Sequence, residues 1–164
     1  MAWNGREPKP RPTDRRRVAA GVLCGALVVA AIGSAHAFTT AQAQSGSRVY
    51  ARQCARCHGA RGEGKDAAFK GLRAPEVIGA GALPLKPRAF QQLRQTEFRT
   101  AKDVYAFVSA TMPADQPAIL SAEEYWDVVA FLLEKNGLPA DGNPLTDVSS
   151  AQLALHPSSP QAKR

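Results

Sequence analysis

Between Val18 and Ile32 the chain runs for 15 residues without a charge, directly after Arg15, Arg16 and Arg17 and just ahead of Ser34-Ala35-His36-Ala37. From Ser47 to about Cys57 the spacing changes, placing Tyr50, Cys54 and Cys57 along one face, which predicts a helix; the glycines of Gly59 to Gly64 end it. Residues 66 to 99 are punctuated by turn formers, among them Gly71, Pro75, Gly79, Gly81, Pro84 and Pro87. They leave room for a short helix near Ala89 to Arg94, and no alternating strand pattern of useful length appears. Thr100 with Asp103 has the spacing of a capping box ahead of the stripe Val104, Phe107 and Val108, and this helix should stop by Thr111. Met112 precedes Pro113, which biases it to an extended conformation on a loop. Ser121 with Glu124 repeats the box before Tyr125, Trp126, Val129, Ala130, Leu132 and Leu133, and Asn136-Gly137 closes that helix. Proline, serine, alanine and aspartate dominate afterwards, so residues 139–164 read as a poorly ordered tail. The expected class is a small all-α domain without internal repeats.

The N-terminal order of basic cluster, apolar run and small residues is that of an export signal. Cleavage after Ala37 satisfies the A-x-A pattern, and Ala41-Gln42-Ala43 offers a second candidate. Retention of residues 1–37 as a membrane anchor is the alternative, since counting Gly33 to Ala37 brings the apolar stretch to about 20 residues. Either way the arginines face the cytoplasm and the remainder lies outside it, in the periplasm. Cys24 is filler in the apolar run, and residues 38–45 read as a polar linker.

The chain has 164 residues, 45% of them apolar, which fits about one globular domain. Its net charge of +7 misleads, because the first 17 residues alone supply +4 and everything after residue 37 only +3. A nucleic-acid footprint is therefore not expected.

Cys54-Ala55-Arg56-Cys57-His58 is a C-x-x-C-H sequence, the signature of covalent c-type haem attachment. On one helical turn the two thiols project from the same face, within reach of two vinyl groups of one porphyrin, and His58 can then offer its imidazole to the iron. A thioredoxin-like redox pair would need a βαβ context that is missing here. A zinc site would need four ligands, and past residue 37 only His58 and His156 join the cysteines. A disulfide between the two is possible only before haem is added. For a second axial ligand Met112 is the candidate, as the one methionine after the initiator, and Met/His ligation raises the reduction potential. Its alternative is a gap-filling role in the core; His156 is a weaker candidate ligand from the tail.

The order Gly46-x-x-x-Tyr50, Cys54-x-x-Cys57-His58-Gly59, Pro75-x-Val77-x-Gly79, Met112-Pro113 and Asn136-Gly137 resembles class I c-type cytochromes over residues 46–138. The resemblance implies a small cytochrome c fold around one haem c, attached through Cys54 and Cys57, with His58 and Met112 on the iron. It implies that the first and last helices cross, with Gly46 and Tyr50 against Tyr125, Trp126 or Val129. It also implies that the carbonyl of Pro75 accepts the remaining N–H of His58, the alternative being an ordinary turn proline. Residues 100–117 and 120–145 look like the cytochrome modules that accompany periplasmic quinoprotein dehydrogenases. The propionate partners stay open among Arg73, Arg88, Arg99 and Trp126.

The expected function is one-electron transfer between redox protein partners rather than catalysis, with membrane contact only if the N-terminal segment is kept. The alternatives are a haem peroxidase or ligand sensor with a five-coordinate iron, and a cytochrome subunit fixed in a larger redox complex. Arg48, Arg52 and Arg56 recur every four residues along one helix face. The expectation is that Arg56, with Lys70 or Arg73, borders the electron-exit surface and meets an acidic partner, while the stripe as a whole is a solvated face.

Overall fold

Among the described residues every helix but the single turn Ala55–His58 begins at a Thr or Ser that forms a capping box. The computed structural model describes residues 1–2, 37–87 and 96–156, and every element below lies in the compact unit Gly33–Arg164. The apolar run Val18 to Ile32, with the export or anchor assignment built on it, and the short helix expected near Ala89 to Arg94 lie outside the described residues. Among the described residues no helix is long and apolar enough to cross a membrane.

Helix α1 spans Thr40–Gln53. It starts seven residues earlier than the stripe suggested, because Thr39 and Gln42 form a reciprocal capping box: the Gln42 N–H donates to the Thr39 hydroxyl at 3.0 Å, and the Thr39 N–H to the Gln42 side chain at 3.3 Å. The supposed linker 38–45 is thus corrected. Phe38 and Ala43 have no exposed surface, and the Gln42 amide donates to the Leu145 carbonyl and accepts from its N–H. One short turn, α2 (Ala55–His58), follows directly. Lys65–Phe69 (β1) and Leu72–Ala74 (β2) then form an antiparallel hairpin, a departure from the expectation of no strand. Helix α3, Ala101–Thr111, begins at Thr100, whose N–H and hydroxyl donate to the Asp103 carboxylate at 2.7 and 2.9 Å. Helix α4, Ala122–Lys135, begins at Ser121 with its box to Glu124 and ends at Asn136-Gly137. Both of these helices start and stop where the sequence signals put them.

The tail is corrected as well. Residues 147–152 form α5, Asp147–Gln152, capped by Thr146, and Leu145, Ser150 and Leu153 are buried. The strand-like stretch after α5 is stitched to the start of α3 by Ala101 N–H to the Leu153 carbonyl and Leu155 N–H to the Arg99 carbonyl. Leu138, Leu145, Leu153 and Leu155 are too widely and irregularly spaced to make a periodic signal, yet all four pack in or against the core cluster around Val129. Residues 157–164 lie outside the described residues.

Helix α1 packs on α4, and α3 packs on both α4 and α5. One apolar cluster centres on Phe38, Phe98, Val104, Val129, Leu133 and Leu145, the other on Val49, Tyr50, Val128, Phe131 and Leu132. The crossing of α1 and α4 is close because position 46 has no side chain: a Cβ there would sit 1.8 Å from the Asp127 carbonyl oxygen.

Candidate functional site

The backbone arranges the motif before any side chain acts. Cys54 ends α1, its N–H donating to the Tyr50 carbonyl, and the His58 N–H donates in turn to the Cys54 carbonyl at 2.9 Å. Cys54, Cys57 and His58 are thereby carried on one turn, and all three line a cavity of about 860 Å³. Burial, and next the neighbouring Cys57, push the Cys54 thiol up to about 11. The Cys57 thiol sits 3.7 Å from the Ala68 carbonyl of the hairpin. Both cysteines are free.

His58 is held from the far side of the glycine-rich loop. Its Nδ1–H donates to the Pro75 carbonyl at 2.9 Å, which fixes the tautomer and leaves the lone pair of Nε2 free. Burial lowers the imidazole pKa, against the opposing pull of that hydrogen bond, and so favours the neutral form that ligation requires. Gly64 makes the approach possible. Its φ is +82° and a Cβ on it would come within 2.9 Å of both the Ala74 carbonyl and the Glu76 nitrogen. The Pro75 to Gly79 stretch is pinned at its other end by Asn136, whose amide donates to the Val77 carbonyl at 3.0 Å and accepts from the Gly79 N–H at 3.1 Å. Asn136 is therefore both a helix stop and a tie to the Pro75 to Gly79 stretch.

Met112 lines the same cavity. Its N–H closes α3 on the Val108 carbonyl, and its own carbonyl accepts from the Tyr125 hydroxyl at 2.6 Å. Tyr50 donates similarly to the Gly59 carbonyl at 2.9 Å, and burial raises its phenol pKa, so it remains a donor. Most of the rest of the wall is apolar, with Phe69 and Leu72 of the hairpin, Val108, Pro113, Leu120, Val128 and Leu132, while Gln53, Arg73 and Thr111 add polar groups. Sequence reasoning missed the hairpin and the part played by Tyr125. The five residues Cys54, Cys57, His58, Pro75 and Met112 are brought to one cavity.

Among the propionate candidates Arg73 lines the cavity and pairs with Asp66 at 3.4 Å. Arg99 pairs with Glu97 and Trp126 stacks on Tyr105 at 3.6 Å between centroids; neither lines the cavity. Arg88 lies outside the described residues. His156 bonds to the Leu83 carbonyl at 3.0 Å and is not a lining residue.

The basic stripe is largely partnered. Arg48 donates to Ser45, Arg52 pairs with Glu124 at 3.6 Å, and Arg56 donates to the Asp115 carboxylate. That contact, followed by the Coulomb attraction, raises the Arg56 pKa and lowers that of Asp115. The expectation that Arg56 waits for an acidic partner is changed accordingly, since an internal carboxylate already holds it.

The cavity suits a porphyrin by its size, within the roughly 300–1,000 Å³ of small-molecule sites, and by its apolar wall bearing a few placed polar groups. Two thiols and a tautomer-fixed imidazole on one turn complete the donor set. Among the described residues no three His, Cys, Asp or Glu side chains gather into a metal-holding group.

The family model described as cytochrome c oxidase, cbb3-type, subunit III, matches residues 41–132. Among solved structures, a chain from the crystal structure of the sulfane dehydrogenase SoxCD from Paracoccus pantotrophus is similar, with 26% identity and a TM-score of 0.49. That match covers 68% of this chain and 52% of the other, so the present chain spans about half the length of that relative. No curated protein matches.

Proposed function

The chain belongs to the cytochrome c family described as cbb3-type cytochrome c oxidase subunit III, and from that premise we propose that it is a periplasmic one-electron carrier whose iron is held between His58 and Met112. It is a small class I c-type cytochrome with one covalently attached haem c and an electron-transfer role. The haem supplies the reversible one-electron couple; the chain supplies attachment, ligands and burial.

The observation that carries the ligand assignment is the meeting of His58 and Met112 at one cavity, each held by its own neighbour. Pro75 orients His58 through the 2.9 Å bond to Nδ1, and Tyr125 holds the Met112 main chain. The apolar wall keeps water off the iron, and a low-dielectric site with a thioether ligand favours the reduced state. His58 and Met112 would together hold a bound haem iron from the protein and leave no position for oxygen or peroxide, which favours transfer over catalysis.

The test is Met112→Ala in the haem-loaded protein. Expected are loss of the weak iron–thioether charge-transfer absorption, avid binding of carbon monoxide, and a fall in potential on the order of 0.1 V within the roughly 0.8 V range set by axial ligands. If the wild type already binds carbon monoxide avidly, or the substitution leaves the spectrum unchanged, the reading fails in favour of a five-coordinate iron.

A further inference from the structure

Met112 is anchored on its N-terminal side by α3 and at its carbonyl by Tyr125, but the chain that leaves it runs onto the surface. Asp115, Gln116, Pro117, Ala118 and Ile119 are all exposed. Asp115 is mechanically close to Met112, because Pro113 between them is buried and the Gln116 N–H donates to the Pro113 carbonyl at 3.0 Å, closing a turn. Arg56, 59 residues earlier in the chain, reaches that turn from inside the C-x-x-C-H motif and donates to the Asp115 carboxylate. The pair joins the segment that carries one candidate ligand to the segment that carries the other.

We propose that Arg56 and Asp115 are positioning residues, a polar strap that keeps the Met112 segment closed against the haem-attachment turn. The inference rests on the assignment of Met112 as a ligand. The side chains keep 50% and 29% of their surface, so the strap works in high dielectric. Exposed pairs of this kind shift an equilibrium only about two- to fivefold, and they weaken with salt. Such a strap does not decide the fold. It sets how often Met112 leaves its place.

An external ligand can take the sixth position only after Met112 has left it, so the entry rate of a neutral ligand reports the strap. Imidazole near pH 8 is the probe, mixed with the oxidised haem-loaded protein in a stopped-flow instrument. Arg56→Gln and Asp115→Asn should each speed entry about two- to fivefold, and the double variant should add nothing to either single one. The exchanged pair, Arg56→Asp with Asp115→Arg, should return towards the wild-type rate. Salt near 1 M should speed entry in the wild type and leave both single variants unchanged. A purely electrostatic influence on the iron would move the two single variants in opposite directions, since one loses a positive and the other a negative charge.

Asp115→Asn lies outside the attachment motif, so it keeps the test open if Arg56→Gln loads haem poorly. Equal rates in wild type and both single variants, or rates that move oppositely, overturn the strap while the wild-type charge-transfer absorption leaves the ligand assignment standing. Absence of that absorption in the wild type overturns the assignment and the strap with it.

Discussion

Gly46→Ala sets two effects of opposite sign against each other. Alanine gains about 1 kcal/mol of helix propensity over glycine, and position 46 lies well inside α1. Against this, the added Cβ would stand 1.8 Å from the oxygen and 2.4 Å from the carbon of the Asp127 carbonyl, and 2.9 Å from the Phe131 Cβ, where ordinary contact begins at 3.4 Å. The obstacle is the main chain of α4, which no rotamer change can clear. The two helices must therefore part by roughly 1.5 Å, and overpacking of this kind costs about 1–3 kcal/mol even where neighbours can yield. Parting them also loosens Tyr50, Val128 and Leu132, which line the cavity. With main chain as the obstacle the cost falls in the upper part of that range, about 2–3 kcal/mol, so after about 1 kcal/mol of propensity the clash should win by about 1–2 kcal/mol, with a fall in Tm on the order of 5–10 °C. The assay is urea and thermal unfolding of the haem-loaded protein followed by circular dichroism. Ser47→Ala, one residue on and exposed, serves as the control and should be neutral or slightly stabilising. A Gly46→Ala protein as stable as the wild type would refute the close crossing, because propensity alone would then have decided the outcome.

Asp127 gives a pH prediction. Burial raises its pKa, Glu123 adds to the shift, Arg48 opposes it and Glu124 adds again. A carboxyl whose folded pKa lies above its unfolded value binds its proton more tightly when folded, so its ionisation weakens the fold above the folded pKa. Asp127→Asn should therefore raise the Tm at pH 7, with the gain vanishing as the pH falls below the unfolded value of about 3.9; a gain that persists in acid, or a loss at pH 7, refutes it. A third prediction concerns processing, where the export reading expects a mature chain beginning at Phe38. A cut after Ala43 would remove Phe38, which is fully buried, and Gln42, which ties α1 to Leu145. N-terminal sequencing of the haem-stained band should read Phe38. A start at Gln44 refutes the packing argument, and an intact N-terminus in the membrane fraction refutes the cut.

What could be read from the chain was whatever depends on short range. The boxes at Thr100 and Ser121, the stop at Gly137 and the C-x-x-C-H turn are each complete within a few residues, and the structure has α3, α4 and α2 at those places. Thr39 with Gln42 is equally local but announces no helix, because the residues after it are small and polar and show no stripe until Val49. The hairpin was hidden for a different reason. Its turn is Lys70-Gly71, with φ of +48° and +76°. Both central residues thus take the left-handed conformation that an Asn-Gly pair usually announces. A lysine at the first position carries no such signal, and strands of five and three residues are too short for alternation to stand out. The contacts of Arg56 with Asp115 and of Asn136 with Val77 join residues 59 apart. No spacing rule reaches that far; only the folded chain brings them together.

The same distinction explains why so little regular structure can hold the site. Between α2 and α3 the described chain contains one small hairpin and irregular backbone, and few of its residues belong to either apolar cluster. Its position comes instead from main-chain ties: Gly64 to the His58 carbonyl, Val77 and Ile78 to Gly62, and Asn136 to both Val77 and Gly79. Met112 packs on the cluster around Val129, whereas Cys54, Val77 and Leu120 pack on the cluster around Val128, and all four line the cavity between them. A domain of this size buries a small core and is marginal on its own. A covalently attached porphyrin in that cavity would touch both clusters, so attachment at Cys54 and Cys57 completes the core as well as the redox site. The polar ties then have a definite task. They hold the walls in register, so that His58 and Met112 stay on the lining of one cavity.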